Sequence, residues 1–522
     1  MKPRAHLPNG ERRLIAIVCV VGALRIFVFS ATLPPFHSAD EVFHFDLIVK
    51  YAHGHVPHHL ADERLSVETR ETIVLYGTGI SRPQPDLVLL HNSPEYLNRP
   101  PAEGVAPPVW TAPANLRQRV LPWGIEHWNL VNHEATEPPV YYAVAGAWHR
   151  LGNVIGLAGG QLFYWTRFLN SALFAGVVWL AYLFARDVCP GDRFLALGVP
   201  LLVAVFPQFS FYGATNDAPL APLLFAAAVY CLHRISRFPR PWPQYGVAGL
   251  LVAATFLTKY SNVTIFVALL ATLADAARRG SVRSSRDDAW RLAVLATTAL
   301  IPVASWFTRN YLLSGDPTGS RQKYEALGWS LKSPSAIWNH PFFGRSAPGA
   351  FGDFAHGVLV NLWRGEMAWH GEPKALPAVD WFCSISSVVF LAFAVVRARG
   401  ARDGAERGAI WTSTVIVILA IASLAVLSTV FDFGTRNAPP VPYMINGRLI
   451  AGILVPFLTL YLYGLQWGLA KVRLPGTALP LVVGLAVLVA ASQVVVTAPL
   501  LRSQYNWFHL PWGVATGFHD AR

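Results

Sequence analysis

Charge is scarce in this chain. Only 14% of its 522 residues are Asp, Glu, Lys or Arg, where a soluble domain carries about a quarter. Cysteine is scarcer: Cys19, Cys231 and Cys383 fall in or at the ends of apolar runs, and Cys189 falls in a short turn. None lies in a large external loop, so no disulfide framework is expected. No Gly-rich phosphate loop, no Gly-x-Ser-x-Gly elbow and no His-Glu-x2-His zinc motif occurs. Their absence argues against a nucleotide-sugar enzyme built on a dinucleotide-binding domain. Internal repeats, the usual mark of a transporter, are also missing.

What is present is apolar sequence, 53% of the chain. It recurs in runs near the roughly 20 residues that a helix needs to cross a bilayer. Eleven candidate spans lie near 14–33, 167–186, 194–213, 217–233, 244–258, 261–276, 290–312, 378–396, 409–431, 447–469 and 477–499. The fifth and sixth are short and read as two legs of a hairpin turning near Lys259. The expected fold is an all-α integral membrane domain occupying residues 1–522. The first run follows Lys2, Arg4, Arg12 and Arg13 but is too long for a signal-peptide core, so it reads as an uncleaved first span.

The net charge of +12 falls largely in the short turns, where basic residues set orientation. Arg186 and Arg193, Arg234 to Arg240, Arg278 to Arg291, Arg397 to Arg407, and Lys471 with Arg473 all take the same side as the N-terminus. A cytoplasmic N-terminus is therefore expected, with no role for nucleic acid. Three regions become external: a long first loop over 31–166, a second over 314–377, and a third over 432–446. The tail after Leu500 is external too, with Trp507, Phe508 and Trp512 suited to the headgroup layer. Within the first loop, Asp40–His53 and Pro138–Leu151 read as interfacial helices, the second opened by prolines that suit a first helical turn.

Four groups of residues bear on chemistry. Pro34-Pro35-x4-Asp40-Glu41-x2-His44 places two carboxylates just outside the first span, where one can serve as a general base or merely cap the following helix. His133-Glu134-x2-Glu137-Pro138-Pro139-x-Tyr141-Tyr142 reads on chemistry alone as a helix start with interfacial aromatics. Lys259, Arg309 and Arg448 lie near the external ends of spans. Cations there are costly and tend to have a job, and together they would suit a phosphate; snorkelling to headgroups is the plainer alternative. Asp217, in Asn216-Asp217-x-Pro219, reads as a helix cap. Arg25, in the middle of the first span, has no partner assignable from sequence. Loop histidines His53, His55, His58 and His59 lack an accompanying ligand set, so no metal or other cofactor is expected, a divalent ion being conceivable but unsupported.

The order of these elements resembles the multi-spanning glycosyltransferases of the GT-C type, which use polyprenyl-phosphate sugars and include protein O-mannosyltransferases and the lipid A aminoarabinose transferase. The shared pattern is an acidic motif after span one, a Pro-Pro-x-Tyr-Tyr helix and an Arg opening span two, here Asp40-Glu41, Pro138 to Tyr142, and Arg167. A bacterial membrane-protein family within that superfamily is matched by Pro34 to His44, Pro207-Gln208 with Asn216-Asp217, Lys259, Arg309-Asn310 and Gly447-Arg448-Leu449. The chain departs from it in having Glu137 before Pro-Pro, Leu449 in place of a Tyr, and only a loose aromatic stretch at Trp363–Trp369.

The resemblance implies a bacterial inner-membrane enzyme with its site on the periplasmic face. It would transfer a sugar from a polyprenyl-phosphate donor to a hydroxyl of an envelope glycan, lipid or protein, with inversion. Asp40 is the expected base, with Glu41 and Glu137 as second candidates. Lys259, Arg309 and Arg448 would hold the donor phosphate. His44, Tyr141, Tyr142 and Asp217 would line the acceptor side. A transporter or flippase of lipid-linked glycans, or a non-catalytic scaffold of polysaccharide assembly, is the alternative.

Overall fold

The computed structural model describes residues 9–37, 40–58, 63–77, 108–208, 215–238, 241–280, 286–366, 368–369, 372–433 and 443–511. The fold is all-α. Helix α1 (Asn9–Thr32) crosses first. The first loop then supplies α2 (Glu41–Ala52), α3 (Val67–Tyr76), α4 (Ala114–His127) and α5 (Pro139–Val154). The bundle continues with α6 (Gly159–Val188), α7 (Arg193–Ala204), α8 (Leu220–Arg237), α9 (Trp242–Phe256), α10 (Ile265–Gly280) and α11 (Arg286–Ser314). In the second loop come α12 (Ser320–Leu327), α13 (Pro334–Trp338) and α14 (Ala347–Trp363). The last bundle helices are α15 (Pro377–Arg399), α16 (Gly404–Val430), α17 (Leu454–Lys471) and α18 (Ala478–Leu501).

Seven helices among the described residues are long and apolar enough to cross a bilayer: α1, α6, α11, α15, α16, α17 with the 3-10 segment before it, and α18. The other four expected spans are shorter. Helix α7 has 12 residues, α8 has 18, α9 has 15 and α10 has 16, or about 18 to 27 Å of rise. The expected span 194–213 is helical only to Ala204, beyond which the chain leaves the helix at Val205–Gln208; 209–214 lie outside the described residues.

That break gives Arg25 its partners. A helix end leaves its last carbonyls unmatched, and Arg25 donates to Ala204 O at 3.2 Å and Phe206 O at 2.7 Å, and to Gln493 Oε1 at 2.8 Å. An arginine midway along an apolar span is thereby satisfied inside the bundle.

The helices define two ends. One collects the basic turns, where Arg186 meets Glu11 and Arg237 meets Asp403. The other carries the long loops. There α2 packs on α5 and α5 on α6, and the two-stranded pairing of β1 (Ser330–Leu331) with β4 (Phe431–Asp432) ties the second loop to the end of α16. A second short pair joins β2 (Ala368–Trp369) and β3 (Glu372–Pro373). Both loop helices anticipated from sequence form, as α2 and α5; nearly every residue of α2 is buried within the protein, whereas α5 buries one face and leaves Val144, Leu151 and Val154 exposed. Of the tail aromatics, Trp507 bonds Gln161 at 2.9 Å and Phe508 is exposed; Trp512 lies outside the described residues, as do His59 and Met367 of the Trp363–Trp369 stretch.

Candidate active site

Asp40 stands at the start of α2 with φ 63° and ψ 0°, a left-handed conformation that Asp tolerates better than most residues. Its carbonyl begins the helix by accepting from Phe43 and His44 N–H, both at 3.0 Å. Its side chain makes no cap hydrogen bond. The carboxylate turns outward instead. Arg448 Nη2 donates to Oδ2 at 2.6 Å, and His133 Nε2 lies 3.7 Å from Oδ1. Burial opposes ionisation, but the His133 contact and the Arg448 charge prevail and hold this carboxyl well below the usual range.

Arg448 is aimed by close backbone packing. Gly447 abuts the end of α14 so tightly that a Cβ there would stand 2.3 Å from Asn361 C and Leu362 N. Gln208 pins the same turn, donating to Asn361 O at 3.2 Å and Leu362 O at 2.9 Å. The Gly-Arg pair and the Pro-Gln pair, far apart in sequence, thus lock one corner.

Around Asp40 stand two further sets of paired charges and a buried histidine. Lys323, from α12 in the second loop, bridges Glu134 at 2.7 Å and Glu137 at 2.5 Å. Burial and the nearby Glu134 charge raise the carboxyl of Glu137 above its ordinary value, against the pull of Lys323. Lys259, at the turn after α9, meets Asp217 Oδ1 at 2.7 Å. His44 shares a 2.7 Å hydrogen bond between its Nδ1 and Tyr142 OH. Burial pushes the imidazole down to about 4, with Asp217 and Asp40 opposing that shift and Lys259 reinforcing it. Asp40, His44, Asp217 and Lys259 are therefore electrostatic neighbours at the loop end. Tyr141 is buried edge-on to Tyr142, with ring centroids 5.3 Å apart. The Val140 N–H donates to Leu257 O at 3.1 Å and fixes the start of α5 against the turn that presents Lys259.

Two anticipated residues sit differently. Glu41 is 0% exposed and binds the equally buried Arg167 through both oxygens, at 2.7 and 2.6 Å. It also accepts from the Thr215 backbone at 3.0 Å, and Arg167 donates onward to Leu33 O and Pro34 O. These bonds occupy the carboxylate within the protein and hold the turn that leads into Asp40. Arg309 is spent on Pro57 O at 2.5 Å and Asn310 Oδ1 at 3.2 Å, with its guanidinium over the Trp306 ring. These contacts tie it to Pro57 of the first loop rather than to Asp40, Lys259 or Arg448.

Sequence reasoning passed over Lys323 because α12 belongs to a polar loop with no pattern to mark it. His133 and Glu134 stood in a recognised motif, yet nothing in spacing joins them to Asp40. With Asp40 they form the one set of metal-type donors found among the described residues, all within 4.8 Å of one another. Protein cations already neutralise two members of the set, Arg448 on Asp40 and Lys323 on Glu134.

A family model described as "Predicted membrane protein (DUF2142)" matches residues 23–455. No curated protein matches the chain. Among solved structures, the Archaeoglobus fulgidus oligosaccharyltransferase in the apo form aligns at 12% identity and TM-score 0.43, over 95% of this chain and 56% of that one. The archaeal oligosaccharyltransferase AglB from the same organism, in complex with an inhibitory peptide and a dolichol-phosphate, aligns at 12% identity and TM-score 0.45, over 98% and 57%. The chain thus spans a little over half the length of those structures.

Proposed function

Starting from a chain that belongs to the DUF2142 family of predicted membrane proteins, we propose a membrane glycosyltransferase that moves a sugar from a polyprenyl-phosphate donor to an acceptor hydroxyl. The observation that carries this reading is the Asp40 carboxylate, freed from helix capping and paired with Arg448 beside His133 at the loop end. The basic turns at the other end support a site on the non-cytoplasmic face by the positive-inside rule, which in a bacterial cell is the periplasmic side of the inner membrane.

The resting carboxylate is a poor base, because His133 and Arg448 hold its proton affinity low. A donor phosphate competes for the same guanidinium, which suits bidentate contact with phosphate oxygens. Once Arg448 turns to the phosphate, Asp40 loses its counter-charge and gains an anion nearby. Both changes raise its affinity for a proton. The base is thereby activated when the donor is in place. Asp40 then takes the acceptor proton as the acceptor oxygen bonds to the anomeric carbon. The bond from that carbon to the phosphate oxygen breaks, and the polyprenyl phosphate leaves with the electron pair. Arg448 and Lys259 stabilise the charge that builds on it. A single displacement inverts the anomeric centre.

In this scheme Glu41 and Arg167 position the turn, Arg309 holds the first loop at Pro57, and Glu137 with Lys323 anchors the second loop over the acceptor side near Tyr141, Tyr142 and Asp217. The acceptor is a glycan, lipid or protein of the envelope. No metal is required, since protein cations supply the counter-charge. The test is lipid-dependent sugar transfer by the purified full chain. Asp40→Asn, folded as judged by its melting curve, is expected to lose transfer by about a thousandfold or more, within the range general-base removal gives. Turnover close to wild type in that variant would remove Asp40 from the chemistry and leave a transporter or scaffold as the better account.

A further inference from the structure

At the basic end, remote from Asp40, helices α6, α8, α10 and α16 surround a cavity of about 630 Å³. Its apolar lining includes Phe184, Val229, Leu232, Ala268 and Ala271. The charged residues lining it are Arg237, Arg278, Arg407 and Asp275, and His233 lines it too; Asp403 and Asp187 stand just behind Arg237 and His233. Arg237 is fixed in place, donating to Asp187 O at 2.7 Å and standing 3.3 Å from Asp403. Arg407 is exposed. The His233 side chain is only 8% exposed, and its Nε2 has no hydrogen-bond partner; Asp187 Oδ2, at 3.7 Å, is too far.

Each part of this lining asks for a different half of one ligand. Arginines fit phosphate oxygens with paired, planar donors. A buried imidazole nitrogen without a bond gains one from a polar headgroup. The apolar wall is rewarded only by hydrocarbon. Inorganic phosphate would satisfy the arginines and leave the wall wet, whereas a zwitterionic lipid would fill the wall and bring its own cation to three arginines. Basic residues at a membrane surface also draw acidic lipids to themselves. We infer that this cavity is a binding site for an acidic phospholipid from the leaflet at the basic end, its phosphate held by Arg278, Arg407 and Arg237 and an acyl chain lying along α8 and α10. The site is separate from glycosyl transfer and does not depend on that assignment.

The experiment uses the full chain in detergent, probed by native mass spectrometry and by thermal melting. The probes are phosphatidylglycerol, phosphatidylcholine with the same chains, and inorganic phosphate. Phosphatidylglycerol is expected to remain bound and to raise the melting temperature. Phosphatidylcholine should bind at least tenfold more weakly, and phosphate should not raise the melting temperature. Arg278→Gln with Arg407→Gln should weaken phosphatidylglycerol at least tenfold. Ala271→Trp, which fills the apolar part and keeps the arginines, should do the same. Asp40→Asn should leave lipid binding unchanged. Equal retention of the two lipids, equal protection by phosphate, or wild-type binding in both cavity variants would each overturn the site. If a variant fails to fold, the comparison of the three probes on the wild-type chain decides alone.

Discussion

The two ends of the bundle both pair cations with carboxylates, but they do so in different settings. At the basic end the pairs are partly wet: the side chains of Arg237 and Asp403 are 19% and 44% exposed. Such pairs contribute little, because water screens them and ordering two long side chains costs entropy. At the loop end Glu41 and Arg167 are fully buried, and Asp217 is nearly so beside Lys259. Removing charges from water is expensive, and a buried pair is scarcely better for stability than a well-packed apolar one. The basic end therefore gains little stability from its charges, which suffice there to set orientation. The loop end holds charges in fixed geometry, which is useful where a reaction needs them.

That contrast is open to direct test, beginning with the largest effect. Arg167→Met leaves Glu41 buried without its counter-charge, and should destabilise the protein by about 3–5 kcal/mol in a detergent melting assay. A loss below about 1 kcal/mol would mean that water reaches Glu41 and that the two ends differ less than their burial implies.

His44 supplies a pH signature at the loop end. Its folded value, about 4, lies below the ordinary 6.5. Above 6.5 both folded and unfolded chains carry it neutral. Between 6.5 and 4 the unfolded chain takes up the proton and the folded one does not, so stability falls as pH falls. The loss approaches roughly 3 kcal/mol at the lower limit. His44→Gln should flatten this part of the stability–pH curve, and an unchanged slope in the variant would assign the effect to other groups.

Arg448→Gln should leave Asp40 easier to protonate. The acidic limb of its residual kcat/KM, which reports the donor-free enzyme, is expected to move up by about 1–3 pH units; an unmoved limb would show that Arg448 does not set the state of Asp40. Last, Asp403→Asn at the basic end should cost less than about 1 kcal/mol and leave transfer within twofold. A larger cost would mean that the basic end is also built on fixed pairs.

Much of the architecture was legible in advance. Seven of the expected spans correspond to long apolar helices because hydropathy over some twenty residues is a local property. The loop helices α2 and α5 were legible too, the second from the prolines at its start. The short helices were harder. A run such as 194–213 stays apolar through Val205 and Phe206, and hydropathy does not register that the helix has already ended. Apart from Lys323, the residues gathered around Asp40 stood in recognisable motifs, but their partners were not marked. Asp40 and Arg448 are 408 positions apart, and no periodicity connects them.

The sequence by itself determined that this is a helical membrane chain with a long loop region at one end and its basic turns grouped apart from it. Those features follow from apolar run length and charge bias, which each segment carries alone. Tertiary structure alone decided which charges meet: that Arg167 takes Glu41, that Arg448 takes Asp40, and that Lys323 reaches across from the second loop. A low-dielectric interior admits a charge only with a partner at hand, and where a partner stands is fixed by how distant helices pack.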